Sequence, residues 1–175
     1  LGPERDRQAV PLAAEGNGYF AGVSAAAGVG TLYRFRLDDD DTLYPDPASR
    51  SQPEGPAGPS RVIDPTEFAW TDAGWGGAPL HGQVIYEMHI GPFTRERTWA
   101  CLEMMPIAEF PGRFGWGYDG VDLFAPTRLY GEPDDLRRFV DQAHRHGLAV
   151  ILDVVYNHLG PDGNYLKQFS PDYFT

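Results

Sequence analysis

Asp153, Asn157 and His158 close the apolar run Leu148-Ala-Val-Ile-Leu-Asp-Val-Val-Tyr-Asn-His-Leu-Gly160. An imidazole in such a place can hold a substrate hydroxyl, move a proton or ligate a metal. An aspartate inside an apolar run must have its charge paired or hydrogen-bonded, and no arginine of the chain is an evident partner for Asp153. A second group is the loop Phe114-Gly-Trp-Gly-Tyr-Asp-Gly120. Its glycines let the backbone approach a ligand, and its aromatic faces suit the C–H faces of sugars. Packing within a turn would use the same residues. Tyr86, Glu87 and His89 end another apolar stretch; Glu87 reads as structural, and His89 fits either role.

The elements that must position these groups are legible around them. The run from Leu148 has the composition of a central parallel strand, apolar on both faces. Polar groups at the C-terminal end of such a strand sit where α/β barrels carry their chemistry. Residues 134–146 are predicted to form a helix, because Leu136, Phe139, Val140 and Ala143 fall at i, i+3, i+4 and i+7. Pro133 suits its first position and Gly147 the residue just past its end. A strand, this helix and the run from Leu148 make a βαβ unit. Residues 83–90 and 100–107 read as two more strands. Only about ten residues join them, fewer than a parallel crossover needs. Either the two are not adjacent parallel partners or a segment is absent near 98–101; absence is the favoured reading.

Upstream, residues 1–43 read as short antiparallel strands. The clearest is residues 30–37, where Tyr33, Phe35 and Leu37 alternate with Arg34 and Arg36. Asp38-Asp-Asp-Asp41 reads as a solvated hairpin turn, since a calcium loop would need spaced ligands. Residues 44–81 form a proline-rich stretch that disfavours helix. It is expected to be an irregular connector, with Tyr44, Phe68, Trp70 and Trp75 packing it against a surface.

At 175 residues and 42% hydrophobic, the chain can bury a core. A net charge of -11, without any basic run, argues against nucleic acid and against anionic membrane surfaces. No apolar run reaches the roughly 18 residues of a membrane span. The single cysteine, Cys101, excludes an internal disulfide and reads as a buried core thiol. No signal peptide is visible, and a cytoplasmic location is expected. The first residue is Leu1 rather than Met, which suits a fragment. Nucleotide-binding glycine loops, a GxSxG elbow and zinc spacing are all missing.

Taken together these residues resemble the α-amylase superfamily of glycoside hydrolases, family 13. The motifs that carry the resemblance are Asp153-Val-Val-Tyr-Asn-His158, Trp116-Gly-Tyr-Asp-Gly120, and Val121-Asp-Leu-Phe-Ala-Pro-Thr-Arg-Leu-Tyr-Gly131 with the helix after it. Within the superfamily the chain is most similar to the trehalose-releasing branch. That similarity rests on Leu43-Tyr-Pro-Asp-Pro-Ala-Ser-Arg50, Tyr86-Glu-Met-His-Ile-Gly91, Gly160-Pro-Asp-Gly-Asn-Tyr-Leu166 and Ser170-Pro-Asp-Tyr-Phe-Thr175. Glycogen branching enzymes are the nearest confusion.

The resemblance implies a multidomain β plus α/β architecture. A partial N-terminal β-sandwich (residues 1–43) and the proline-rich connector (44–81) precede the first part of a (β/α)₈ TIM barrel (82–175). It implies hydrolysis, with retention, of the α-1,4 bond next to the terminal trehalose unit of a maltooligosaccharide-type substrate. The nucleophile and the acid/base carboxyl are expected beyond Thr175, so the isolated fragment is expected to be inactive. By the same resemblance Tyr118 stacks on a sugar ring, with Trp116 beside it. His158 hydrogen-bonds a hydroxyl of that sugar, Asp153 pairs with an arginine outside the chain, and Asn157 fixes the loop. No cofactor and no metal are implied. A stand-alone carbohydrate-binding module is the reading from another class.

Overall fold

The computed structural model describes residues 8–38, 40–79, 81, 83–88 and 101–173. His89, the link through residue 100 and most of the proposed gap near 98–101 lie outside the described residues.

The N-terminal region is built of short antiparallel ladders. Strands β1 (Ala13–Gly16) and β2 (Tyr19–Ala21) form a hairpin. Asn17 and Gly18 turn it with φ of 51° and 80°, the pairing that tight hairpins of this kind favour. The predicted strand at 30–37 is split into β3 (Leu32–Tyr33) and β4 (Phe35–Arg36). The split falls where the chain changes partners, from β6 (Ser60–Arg61) to β5 (Leu43–Tyr44); at that point the Arg34 guanidinium donates to the carbonyls of Leu43 and Ala57, both at 2.8 Å. β4 pairs with β5 (Leu43–Tyr44); between them Asp38 has φ 46° and the Asp40 amide donates to the Leu37 carbonyl at 3.0 Å. β3 pairs with β6 (Ser60–Arg61). Among the described residues these are three two-stranded antiparallel ladders.

The proline-rich stretch is packed rather than loose. It supplies β6 and some of the deepest burial in the molecule, at Pro45, Ser49, Ser51, Gln52, Pro59 and Ser60. Prolines bring no backbone donor to satisfy, and serine hydroxyls meet some of the remaining backbone groups, while the buried Gln52 side-chain amide has no hydrogen-bond partner among the described residues. Ser60 Oγ accepts from the Asp46 amide at 2.9 Å, and Ser49 Oγ donates to the Ser51 carbonyl at 3.0 Å.

The second region holds a parallel sheet of β7 (Ile85–Met88), β8 (Cys101–Met104) and β11 (Ala149–Leu152), in the order β11–β8–β7. Ile85 and Ala149 both register with Cys101. The two strands on either side of the short link are therefore adjacent parallel partners, which removes the alternative that they are not. The run from Leu148 forms β11, a parallel strand as its composition suggested, paired with β8. β8 is central, with Cys101, Leu102 and Met104 buried, while Ile151 and Leu152 on β11 are exposed.

Between β8 and β11 the chain forms β9 (Ala108–Glu109), antiparallel to β10 (Asp122–Pro126), and then helix α1 (Pro133–Arg145). α1 begins and ends as its sequence dictates. Pro133 opens it, the Glu132 amide donates to Asp135 Oδ2 at 2.8 Å, and Gly147 follows it with φ 72°. Its apolar stripe lies over β10 and β11. Among the described residues no helix is long and apolar enough to cross a membrane.

Residues 71–75 clamp the outer side of α1. Thr71 donates its amide and its hydroxyl to the two oxygens of Asp141, each at 2.7 Å. His144 Nδ1 meets Asp72 Oδ2 at 2.6 Å, and its ring stacks on Trp75 at 4.6 Å. The Thr71 hydrogen bonds hold the Asp141 carboxyl below its ordinary range. A carboxyl lowered on folding stabilises the fold above its unfolded value and loses that effect as pH falls through its folded value. Asp141→Ala at neutral pH, or acidification of the wild type, is therefore expected to free this segment. Amide hydrogen exchange at Thr71 checks it, and unchanged exchange would refute the clamp.

Candidate functional site

The loop of residues 110–121 leaves β9 and returns to β10 across the C-terminal ends of β8 and β11. Its shape follows from glycines placed where nothing larger fits. Gly117 has φ 89°, and a Cβ there would overlap the carbonyl of Pro106, just past β8. Gly115 lies on the buried ring of Phe110. Gly160 packs against the Asp119 carbonyl and donates its amide to the Gly120 carbonyl at 2.9 Å. The aromatic loop and the segment after β11 are thus laid backbone to backbone.

This brings together Tyr118, Asp153 and His158, which lie far apart in sequence. The Tyr118 hydroxyl donates to Asp153 Oδ2 at 3.2 Å. His158 Nε2 sits 2.9 Å from the Tyr118 carbonyl. A carbonyl can only accept, so Nε2 carries the hydrogen and a neutral ring keeps its acceptor at Nδ1. Asp153 is half-buried and accepts from the Tyr118 phenol. Desolvation first, then the bond to Asp153 and the charges of Asp153, Glu87 and Glu103, raise the Tyr118 phenol above its ordinary value. It therefore remains a hydrogen-bond donor at neutral pH.

Trp116 is 70% exposed and lines an open concavity with Phe114, Gly115, Tyr118 and Asp119. Asn157 is exposed. Tyr86 and Glu87 lie on β7, and Glu87 registers with Glu103 of β8. Ile151 registers with Glu103 on the other side, and Asp153 lies two residues further on. Glu87, Glu103 and Asp153 therefore share one face of the sheet. Glu103 was missed from sequence, although a lone carboxylate in an apolar strand was a usable signal. Among the described residues no group of three or more histidines, cysteines and acidic residues could hold a metal ion.

Sequence reading also passed over the neck of the loop. Glu109 is fully buried and accepts from the backbone amides of Phe110 (3.1 Å) and Arg128 (2.7 Å) and from the Arg128 guanidinium. Asp122, in register with Glu109, is also buried, and its Oδ2 has no hydrogen-bond partner. Nothing in the local sequence marks either residue, since an acidic side chain in a short strand usually faces water.

Known proteins resemble this chain over most of its length. Residues 96–172 match the alpha amylase catalytic domain. A malto-oligosyltrehalose trehalohydrolase from Rhizobium sp. (strain M-11) is 46% identical over 169 residues, covering 88% of this chain and 28% of the relative. A 1,4-alpha-glucan branching enzyme from Burkholderia thailandensis is 35% identical, covering 82% of this chain and 21% of the relative. A candidate alpha amylase from Salmonella typhimurium, solved by crystallography, superposes with a TM-score of 0.88 at 44% identity, covering 94% of this chain and 30% of that one. The chain thus spans under a third of the length of these relatives. With a parallel sheet, with Asp153 and His158 in the segment that follows β11, and with these likenesses, the chain belongs to the alpha-amylase family.

Proposed function

We propose that these residues form one wall of the sugar-binding cleft of a malto-oligosyltrehalose trehalohydrolase. That enzyme would hydrolyse the α-1,4 bond next to the terminal trehalose unit of its substrate and release trehalose. The observation that carries the reading is Tyr118, an exposed ring held at its hydroxyl by Asp153 and at its carbonyl by His158. A ring fixed in this way can stack on a glucose unit without losing further freedom on binding. Trp116 extends the surface, and His158 stands beside the sugar to meet a hydroxyl. Asp153 holds the Tyr118 hydroxyl, its second oxygen open to an arginine from elsewhere in the barrel. The two carboxyl groups of the retaining reaction belong, in this reading, to other strands of the barrel. Neither a cofactor nor a nucleic-acid or membrane partner is called for.

The same reading places a missing segment in the link between β7 and β8. The Rhizobium relative aligns over 169 residues against 88% of the 175 here, so it carries positions with no counterpart in this chain. A parallel crossover needs that length.

The test is trehalose release from maltooligosyltrehalose by the full-length protein, with none from these 175 residues alone. Appearance of new α-1,6 branches in place of trehalose would favour the branching enzyme. Tyr118→Ala in the full-length protein is expected to weaken maltotetraose binding about tenfold or more, the loss typical of truncating an aromatic anchor. Unchanged affinity would remove Tyr118 from the site.

A further inference from the structure

We infer that Glu109 and Arg128 are positioning residues, which set Tyr118 against the sugar by fixing the neck of the aromatic loop; the inference rests on the sugar-binding role proposed above for Tyr118. The loop departs at Glu109 and returns at Asp122, and those two residues are ladder partners. The Val121 amide donates to the Glu109 carbonyl at 2.8 Å, and the Thr127 amide to the Ile107 carbonyl at 2.7 Å. So short a ladder fixes a twelve-residue excursion weakly on its own. The side chains complete it. The Glu109 carboxylate holds the first amide of the loop, at Phe110, and the Arg128 amide beyond its return. The Arg128 guanidinium pairs with that carboxylate and donates to two loop carbonyls, Phe110 at 3.3 Å and Gly112 at 2.9 Å. One planar cation thus ties both sides of the neck, which its fork of donors suits and a lysine ammonium does not.

From the neck the constraint passes along packed atoms. Phe110 is buried under Gly115, and Gly117 is pressed on Pro106 one residue before Tyr118. On its far side the guanidinium is backed by the N-terminal region: a Cβ on Gly55, whose φ is 87°, would come within 3.1 Å of it. Neither Glu109 nor Arg128 lines the concavity of Phe114, Trp116 and Tyr118. Any effect on sugar binding must therefore act through the loop.

The experiment is a double-mutant cycle on the full-length protein, with maltotetraose affinity read by calorimetry. Arg128→Lys is expected to weaken binding about tenfold in the wild-type background and less than about twofold when Tyr118 is already alanine, as coupled residues do. Equal weakening in both backgrounds would show that the pair acts independently of Tyr118 and overturn the inference. So would no weakening at all, which leaves the pair a fold-stabilising contact. If Arg128→Lys loses its cooperative melting transition, Glu109→Gln, which keeps the shape and removes the charge, carries the same expectation. A Tyr118→Ala protein that binds maltotetraose as the wild type does would sink the sugar-binding reading itself, and this inference with it. A failure confined to the cycle would leave that reading standing.

Discussion

Gly117→Ala is expected to destabilise the fold by about 3 kcal/mol or to lift the aromatic loop off the sheet, and in either case to cost sugar affinity. Two effects add. The backbone at 117 has φ 89°, a conformation that costs an L side chain roughly 1–2 kcal/mol. The new Cβ would also overlap the Pro106 carbonyl, which belongs to the chain just past β8 and cannot swing aside as a flexible side chain can. Relief must come from the loop, and the next residue in it is Tyr118. The hydroxyl would then leave Asp153, and the carbonyl would leave His158. Urea midpoints and maltotetraose titration on the same variant separate the two outcomes. A stability change within about 0.5 kcal/mol together with unchanged affinity would show that the loop does not depend on this contact.

Asp122→Asn is expected to act in the opposite sense, as a stabilising change that grows with pH. Burial, then the charges of Glu109 and Asp46, push the Asp122 carboxyl up to about 8 from an ordinary 3.8. Gln52 lies near enough to oppose this slightly, yet makes no hydrogen bond of ordinary geometry with it. A raised carboxyl means that the folded chain holds a proton which the unfolded chain has released. Stability then falls as pH rises from about 4 to about 8, at up to about 1.4 kcal/mol per pH unit for one group. Asparagine has no proton to hold, so the variant loses this slope. Near pH 4 the two proteins should be alike; near pH 8 the variant should be more stable by a few kcal/mol. Urea midpoints at pH 5 and pH 8 decide it. Parallel pH profiles for wild type and variant would show that Asp122 is ionised in the fold.

Much of the scaffold was legible because local chemistry dictates it. Pro133, the apolar stripe at 136, 139, 140 and 143, and Gly147 fix α1 within a residue of its observed ends. The parallel strands were legible as apolar runs, but their order was not. An apolar run has the same composition whichever strands flank it, so the placing of β8 between β7 and β11 comes only from the ladder registers. The packing of the proline-rich stretch was legible in its aromatics, but its most deeply buried residues, Pro45, Ser49, Pro59 and Ser60 among them, were not. Proline, glycine and serine announce turns, and they do so equally when the turn is pressed against a core. Tyr118, Asp153 and His158 were each marked by residue type and neighbours. The hydroxyl-to-carboxylate bond between the first two was not, since it joins loops 35 residues apart. Asp122 gave no sign at all: its effect comes from what covers it, and the cover lies at Gln52 and Asp46.

The partners of the proline-rich stretch have a consequence for the order in which the molecule assembles. Tyr44 sits edge-on to Tyr165 and Phe169, and Phe35 also packs on Phe169. Pro56 lies against Gly163, and Gly55 against Arg128. A region made early by the ribosome therefore finds its covering aromatics among residues made more than a hundred positions later. Such distant contacts close slowly and leave apolar surface uncovered meanwhile. A chain stalled in synthesis before Tyr165 would hold its first ladders with one face bare, a species for chaperones to guard.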